Sequence, residues 1–175
     1  MNAVSPMIVP IIETTRLILR EYRRSDFDPI AAHWQSDRTK HTGGPLNRRD
    51  AWKAFAGDCG QWHLRGYGMW IVQDKASGDT AGYVGFYEPD HYSETELGWV
   101  LLAPFEGKGL ADEAVRAARA YGETNFGISQ PCSYIATDND RSVALAKKLG
   151  ATLEDTRDIG HGPFHIYRHP RGQTS

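Results

Sequence analysis

Hydrophobic residues recur at helical spacing in three segments of this chain. Apolar side chains three and four positions apart fall on one face of a helix, so each segment predicts an amphipathic helix. The three apolar stripes are Trp52, Phe55, Cys59 and Trp62; Leu110, Ala111, Ala114, Val115, Ala118 and Tyr121; and Val143, Leu145, Ala146 and Leu149. The third helix, 138–151, is expected to end at Gly150. A fourth helix is expected after Ser25, which forms a capping pattern with Asp28 three residues later.

Short runs rich in β-branched and aromatic residues predict strands between these helices. They cover 16–22, 67–74, 81–89, 95–102, 132–137 and segments near 152–157 and 163–168. Interleaved strands and helices predict a mixed α/β fold with one central sheet and helices on both of its faces. The 175 residues are expected to form one domain, 1–175, in which residues 1–10 are a loose leader.

Composition and charge exclude several classes of protein. Hydrophobic residues make up 40% of the chain and charged residues 24%, which is typical of globular proteins. The formal net charge of −2 gives no basic excess, so no nucleic-acid partner is expected. We also expect no membrane partner, because no apolar run is long enough to cross a bilayer and the start lacks a signal-peptide pattern. Cys59 and Cys132 are expected to be free thiols, which favours a cytoplasmic location.

A glycine turn, 106-EGKGLA-111, directly precedes the second predicted helix. A helix N-terminus presents unpaired N–H groups and the positive end of its dipole, so a glycine turn there favours binding of an anion such as phosphate. The P-loop pattern does not fit, because Lys108 is followed by Gly109 and not by Ser or Thr. The dinucleotide pattern does not fit either, because Asp112 stands where its third glycine belongs.

The turn resembles the Q/R-x-x-G-x-G/A signature of the GNAT superfamily of N-acetyltransferases. Three strings in the right order resemble its RimJ/RimL-type branch: ETTRLILREYRRSDFD (13–28), ELGWVLLAPFEGKGLADEA (96–114) and NDRSVALAKKLGA (139–151). The resemblance implies the GNAT fold, with a mixed, mostly antiparallel sheet. It also implies acetyl transfer from acetyl-CoA, as co-substrate, to a primary amine by direct attack in a ternary complex.

The resemblance assigns cofactor contacts to two segments. Gly107, Lys108, Gly109, Leu110 and Ala111 would hold the pyrophosphate of coenzyme A, Lys108 through its charge. Backbone groups of Val100, Leu101 and Leu102 would pair with the pantetheine and the acetyl carbonyl, and an N–H near Leu102 would bind the oxyanion. The turn departs from the family at Glu106, where Gln or Arg is commoner.

Glu96 is the candidate general base, because the corresponding strand position carries the catalytic carboxylate in many members of the family. By alternation Glu96, Gly98, Val100 and Leu102 share one face of the strand. A structural or solvated glutamate is the alternative interpretation of Glu96. The reserve candidates, in the loop before the strand, are Asp90, His91 and Glu94.

The proton for the departing thiolate has a less usual candidate donor. Many members of the family use a tyrosine where this chain has Ala146. RimL-like enzymes instead use the serine three residues after an asparagine, which is Ser142 here. Asn139 would cap the helix and contact the pantetheine, as Ser142 would from the next turn of the same face.

Three histidines, His161, His165 and His169, recur every four residues, as metal ligands on a helix would. Gly162 and Pro163 argue against a helix there, so a strand and no metal are expected.

The acceptor groove is expected between the early helices and the last strands. Those segments contribute aromatic and histidine side chains, most of which we expect in the core: Trp34, His41, Trp52, Phe55, Trp62, Trp70, Phe86, Tyr87 and Phe164. The acceptor could be a small molecule or a protein N-terminus, and many family members form homodimers. A non-catalytic acyl-CoA-binding regulator or scaffold is the alternative function, which Ala146 and Glu106 favour.

Overall fold

Eight strands pair into one sheet in the computed structural model, which describes residues 8–158 and 162–171. The strands are β1 (Ile12–Glu13), β2 (Leu17–Arg20), β3 (Met69–Asp74), β4 (Thr80–Tyr87), β5 (Glu96–Leu101), β6 (Cys132–Ala136), β7 (Thr152–Asp158) and β8 (Pro163–Arg168). The four α-helices of the described residues are α1 (Phe27–Trp34), α2 (Arg48–Arg65), α3 (Leu110–Phe126) and α4 (Asp140–Lys148).

The strands lie in the order β1-β2-β3-β4-β5-β6-β8-β7. Every neighbouring pair is antiparallel except β5 and β6, which are parallel and joined by the crossover helix α3. The predicted mixed, mostly antiparallel sheet is therefore confirmed. The parallel pair lies near the middle of the sheet, between β4 and β8.

Alternating residues of β3 show how the two faces of the sheet are covered. Met69 and Ile71 pack with α1 and α2. Trp70 and Val72 pack with α3 on the opposite face. Helices therefore cover both faces, as predicted, and each fully buried aliphatic or aromatic side chain contributes about 1.5–3 kcal/mol.

The start of α1 differs from the expected Ser25–Asp28 cap. A 3₁₀ turn at Arg24–Asp26 precedes the helix, and the Asp26 carboxylate accepts the Arg23 N–H at 2.7 Å. Asp26 is also bound by both terminal nitrogens of the buried Arg20 at 2.9 Å. Asp26 therefore sets the start of this segment, because its carboxylate both caps the 3₁₀ turn and neutralises the buried Arg20.

Strand β1 was not predicted, and it lies just beyond the predicted leader. Residues 1–7 of that leader are outside the described residues. Within the rest, the Pro10 carbonyl accepts a hydrogen bond from Trp70 Nε1 at 2.8 Å. No helix in the described ranges is long and apolar enough to cross a membrane.

Candidate active site

Strands β5 and β6 separate immediately after their first residues. Their only register pair is Glu96 with Cys132, and Ser133 Oγ then donates to the Leu97 carbonyl at 2.6 Å. Beyond this point a cleft of about 1630 Å³ opens between the two strands and continues beneath α2. We call it the central cleft. Its walls include Gly98 and Val100 from one strand and Tyr134, Ile135 and Ala136 from the other.

The free backbone edge of β5 is set by its pairing with β4. The Leu102 N–H donates to the Ala81 carbonyl at 2.8 Å. Because bonded positions alternate in an antiparallel pair, Val100 also bonds toward β4, while the N–H and C=O groups of Trp99 and Leu101 face β6. The predicted oxyanion role therefore does not fit Leu102 itself. The adjacent free N–H is that of Leu101.

The glycine turn begins α3 in a conformation that only glycine adopts easily. Gly107 has φ 72° and Gly109 has φ 73°, both in the left-handed region. A Cβ at Gly107 would meet nothing within 4 Å, and one at Gly109 would meet only Arg16 Nη2 at 3.7 Å. Gly109 is the N-cap and provides no side-chain cap, so the first N–H groups of α3, including those of Leu110 and Ala111, are available to a ligand.

Glu106 is bound by arginines from two distant segments. Arg38 hydrogen-bonds to Glu106 Oε2, and Arg141 Nη2 lies 3.0 Å from the same oxygen. Burial raises the pKa of Glu106, but hydrogen bonds from Arg38 and Arg141 outweigh it, and the net shift is downward. The Arg141 contact also joins the turn to the start of α4, which borders the central cleft.

Two further cations surround the turn. Arg16 donates from Nη1 to the Lys108 carbonyl at 2.8 Å and from Nε to Glu113 Oε2 at 2.6 Å. Lys108 is exposed, and its Nζ lies 5.5 Å from the centre of the Phe105 ring. The turn therefore presents fixed positive charge and free N–H groups together, an arrangement that suits an anion.

Glu96 lies at the point where β5 and β6 separate, and it lines the central cleft. Burial raises the pKa of its carboxyl to about 7, against hydrogen bonds from the Tyr134 backbone and the Tyr92 side chain. The Tyr134 N–H lies 3.4 Å from Glu96 Oε1. A carboxyl with this pKa exchanges a proton near neutral pH, which is what a general base requires.

Asn139 and Ser142 also line the central cleft, from the start of α4. Asn139 is the N-cap, since its Oδ1 accepts the Ser142 N–H at 3.2 Å. Over residues 8–158 and 162–171 the Ser142 hydroxyl forms no hydrogen bond, so it remains available as a donor. Ala146 is fully buried against Ile135 and offers no polar group.

The predicted cofactor residues thus fall in two places. Val100, Asn139 and Ser142 line the central cleft, whereas Leu101, Leu102 and the turn residues 107–111 do not. The Glu106–Arg141 ion pair connects the two places.

The reserve candidates lie elsewhere or on the rim. Glu94 binds Arg168 at 2.6 Å and lines a separate, shallow pocket. Asp90 and His91 are exposed at the mouth of the central cleft. None of these three residues is both inside the central cleft and shielded from solvent, as Glu96 is.

Asp58 is a residue of the central cleft that sequence reasoning missed. It lies on α2 between Phe55 and Trp62, three residues after the first and four before the second, so it shares their inward face. Tyr22 donates to its Oδ2 at 3.2 Å. Burial raises the pKa of Asp58 to about 7, and the Tyr22 hydrogen bond only partly opposes this shift. The sequence signal that could have identified Asp58 was a carboxylate among the apolar residues of the inward face of α2.

The aromatic residues divide between core and cleft. Phe55, Trp62, Trp70 and Phe86 are buried in the core, and Trp52 is 45% exposed. Trp34, His41, Tyr87 and Phe164 line the central cleft. Four tyrosines contribute more of its wall than the tryptophans do: Tyr83, Tyr87, Tyr92 and Tyr134.

The histidine series does not form a helix. His165 lies in β8 and bonds Thr156 Oγ1 at 2.7 Å, while His169 is fully buried with Nε2 2.9 Å from Ser133 Oγ. Burial, with the nearby Arg119 and Arg168 charges, lowers the pKa of His169 to about 4. His161 lies outside the described residues, among which no group of metal-ligating side chains is found.

Comparison with known proteins adds the family. Residues 16–152 match the model of the acetyltransferase (GNAT) domain. Two Bacillus subtilis relatives are the uncharacterized N-acetyltransferase YoaA, 26% identical over 83% of this chain and 84% of YoaA, and the uncharacterized protein YkkB, 29% identical over 61% of this chain and 64% of YkkB. A shorter match, 27% identical, covers 46% of this chain and 44% of the spermidine N(1)-acetyltransferase of Escherichia coli K12.

Solved structures agree with this assignment. An acetyltransferase from Agrobacterium tumefaciens is 29% identical, with a TM-score of 0.87 over 93% of this chain and 95% of its own. RimL, a ribosomal L7/L12 α-N-protein acetyltransferase solved with coenzyme A, is 18% identical and shares the fold, with a TM-score of 0.74 over 93% of this chain and 98% of RimL.

Proposed function

Since the chain belongs to the GNAT acetyltransferase family, we propose that it transfers the acetyl group of acetyl-CoA to a primary amine. The observation that carries this proposal is the separation of β5 from β6, which opens the central cleft with Glu96 at its root and Ser142 on its wall. The described residues fit the co-substrate, because the left-handed glycines leave open space above free helix N–H groups.

Acetyl-CoA supplies the acetyl thioester. Residues 107–111 and Lys108 in particular bind its phosphates, and the free edge of β5 orients the pantetheine. The Leu101 N–H stabilises negative charge on the acetyl oxygen. Asn139 fixes the start of α4, so that the Ser142 hydroxyl faces the cleft.

Two residues move the protons. Glu96 takes one proton from the entering ammonium, which leaves a neutral amine to form the C–N bond as the C–S bond breaks. Ser142 gives a proton to the departing sulfur and regains the one that the nitrogen loses. Replacement Ser142→Ala should lower kcat by a larger factor than it raises the Kd of acetyl-CoA, to which Ser142 contributes one contact; an unchanged kcat would remove this role.

A non-catalytic acyl-CoA-binding protein is the second candidate, because Ala146 occupies the position of the family's usual tyrosine and is buried. It predicts binding of acetyl-CoA without transfer to any amine. The partial match to a spermidine N(1)-acetyltransferase and the proton-exchanging Glu96 favour the enzyme.

Calorimetric titration with acetyl-CoA and with CoA tests the donor site directly. We expect micromolar binding by the wild type and a loss of at least about 100-fold in Gly109→Glu, whose carboxylate enters the anion site. Gly127→Glu is the matched control, because Gly127 caps the other end of α3 at φ 68° with nothing within 4 Å. A folded wild type that binds neither ligand would exclude both candidate functions.

A further inference from the structure

Asp58 lacks a cationic partner although it points into the central cleft. Among the residues that the structure describes, no Lys or Arg forms an ion pair with Asp58 or with Glu96, and Tyr22 alone hydrogen-bonds to Asp58. The proton-transfer scheme above does not use Asp58. Removing a carboxylate from water costs free energy when no cation lies nearby. The position of Asp58 therefore suits a ligand that carries a positive charge.

The lysine and arginine side chains that line the same cleft are paired with carboxylates other than Asp58 and Glu96. Each forms an ion pair with another carboxylate: Lys40 with Asp138, Lys53 with Asp50, Arg65 with Glu88 and Arg157 with Asp155. The fold therefore neutralises these charges, and Asp58 and Glu96 remain in the interior of the cleft without an ion pair from the described residues, whereas Asp90 is exposed at its mouth.

Tyr83 gives independent support for a polar ligand beside Asp58. Its side chain is only 6% exposed and lines the cleft, yet its hydroxyl bonds to none of the described residues. Tyr83 and Asp58 line the same cleft, and the pKa of Tyr83 is raised by burial and further by the charge of Asp58. No buried side-chain nitrogen or oxygen of the described residues lacks a hydrogen-bond partner, so the unbonded Tyr83 hydroxyl opens onto the cleft, where a ligand group can bond to it.

Tyr87 lines the same cleft as the two carboxyls. After burial, the charges of Asp58 and of Glu96 are the causes that raise its pKa. Tyr87 pairs across the strands with Glu96, and Tyr83 pairs with Val100 four residues away on β4. Four residues of strand span about 13 Å, which is the separation along β4 between the partner of Glu96 and Tyr83. Aromatic rings along this stretch suit a methylene chain and its terminal cation.

We propose that the acceptor is a small amine with a second cationic nitrogen, which Asp58 binds while Glu96 receives the reacting ammonium. This inference rests on the proposed function and narrows its acceptor to aliphatic diamines or polyamines. A single ammonium group would neutralise one of the two carboxylates and leave the other desolvated. A dication neutralises both, and its chain covers the tyrosine wall between them.

The test compares diamines with monoamines of equal length. Propane-, butane-, pentane- and hexane-diamine and the corresponding alkylamines are assayed with acetyl-CoA, and each is titrated into the protein saturated with CoA. We expect kcat/KM and affinity to favour a diamine by at least about tenfold. Asp58→Asn should reduce that preference to about threefold or less, because the amide retains the shape and the Tyr22 hydrogen bond but not the charge.

Two variants serve as controls. Tyr22→Phe removes the hydrogen bond and retains the carboxylate, so the diamine preference should persist. Glu13→Gln makes the same change of charge at the surface, where Glu13 is paired with Lys75 outside the cleft, and should leave the preference intact.

Three results would overturn the inference while leaving the proposed function standing. These are equal use of diamines and monoamines, an unchanged preference in Asp58→Asn, and no binding of any diamine by a protein that binds CoA. A protein that does not bind CoA would instead refute the proposed function. Binding is measured separately from turnover, so inactivity alone does not decide the outcome.

Discussion

The glycine turn and the far end of the central cleft treat their carboxylates in opposite ways. At the turn, Glu106 pairs with Arg38 and Arg141, Asp112 with Arg116 and Lys148, and Glu113 with Arg16. Although burial opposes it, hydrogen bonds lower the pKa of all three carboxyls; they come from the paired cations and, for Glu113, first from Thr14. In the cleft, Asp58 and Glu96 have no such partner in the described residues, and burial raises both pKa values to about 7.

The difference fits the ligands that we propose for each region. An anion can approach the turn only if the local negative charge is already neutralised, and the ion pairs do this. A cation is bound in the cleft more readily if negative charge is left unpaired there. Under this proposal, carboxylates are paired within the fold at the turn and left for a ligand in the cleft.

The largest expected effect comes from removing the charge of Glu96. Glu96→Gln should lower kcat/KM by about 100-fold, because an amide cannot accept the amine proton. The wild-type kcat/KM should rise as pH increases through about 7, since Glu96 acts only when ionised. That rise should be absent from the variant. Release of the CoA thiol, followed with each protein across this pH range, measures both effects.

Glu94→Gln is the control for this measurement, because Glu94 is paired with Arg168 outside the cleft. Equal losses in the two variants would contradict the assignment of Glu96.

A smaller effect is expected at the turn when its arginines are removed. Arg38→Ala with Arg141→Ala leaves Glu106 ionised and unpaired, and should raise the Kd of acetyl-CoA about tenfold at low salt. Adding Glu106→Gln should recover much of the affinity, because the repulsive charge is gone. Calorimetry on the double and triple variants measures this, with the exposed pair Arg23→Ala and Arg49→Ala as the control. If the triple variant binds no better than the double, pairing of Glu106 is not what prepares the turn.

The smallest effect is a gain in stability in Asp58→Asn. An Asp carboxyl ionises near pH 4 in the unfolded chain, whereas folding raises the pKa of Asp58 to about 7. The folded protein therefore holds a proton that the unfolded chain has lost, and this contribution to stability falls as pH rises between these values. The amide avoids that loss.

Because the cleft admits water, we expect the variant to gain only about 1–2 kcal/mol in free energy of unfolding above pH 7. The gain should shrink toward pH 4. Urea unfolding at several pH values measures it, and a variant less stable than the wild type at pH 8 would show that the fold already compensates the Asp58 charge.

Local pattern was enough to predict most elements of the fold. The apolar stripes located α2, α3 and α4, and Gly150 follows α4 with φ 82° as expected of a helix stop. Strand β1 was missed because two residues carry no periodicity. The start of α1 was misplaced because Asp26 is selected by Arg20, a partner on another element.

The sequence by itself determined the left-handed turn. Glycine is the residue type that adopts this conformation at little cost, and it stands at both positions, 107 and 109. Simple alternation also placed Glu96 on the same strand face as Gly98 and Val100, which line the cleft with it. Tertiary structure alone decided which backbone groups of β5 remain free, since this depends on the partner strand. It also decided that Arg38 and Arg141 meet at Glu106 and that Asp58 meets no Lys or Arg of the described residues. Charge compensation depends on distances between residues far apart in the chain, and a local pattern carries no such distances.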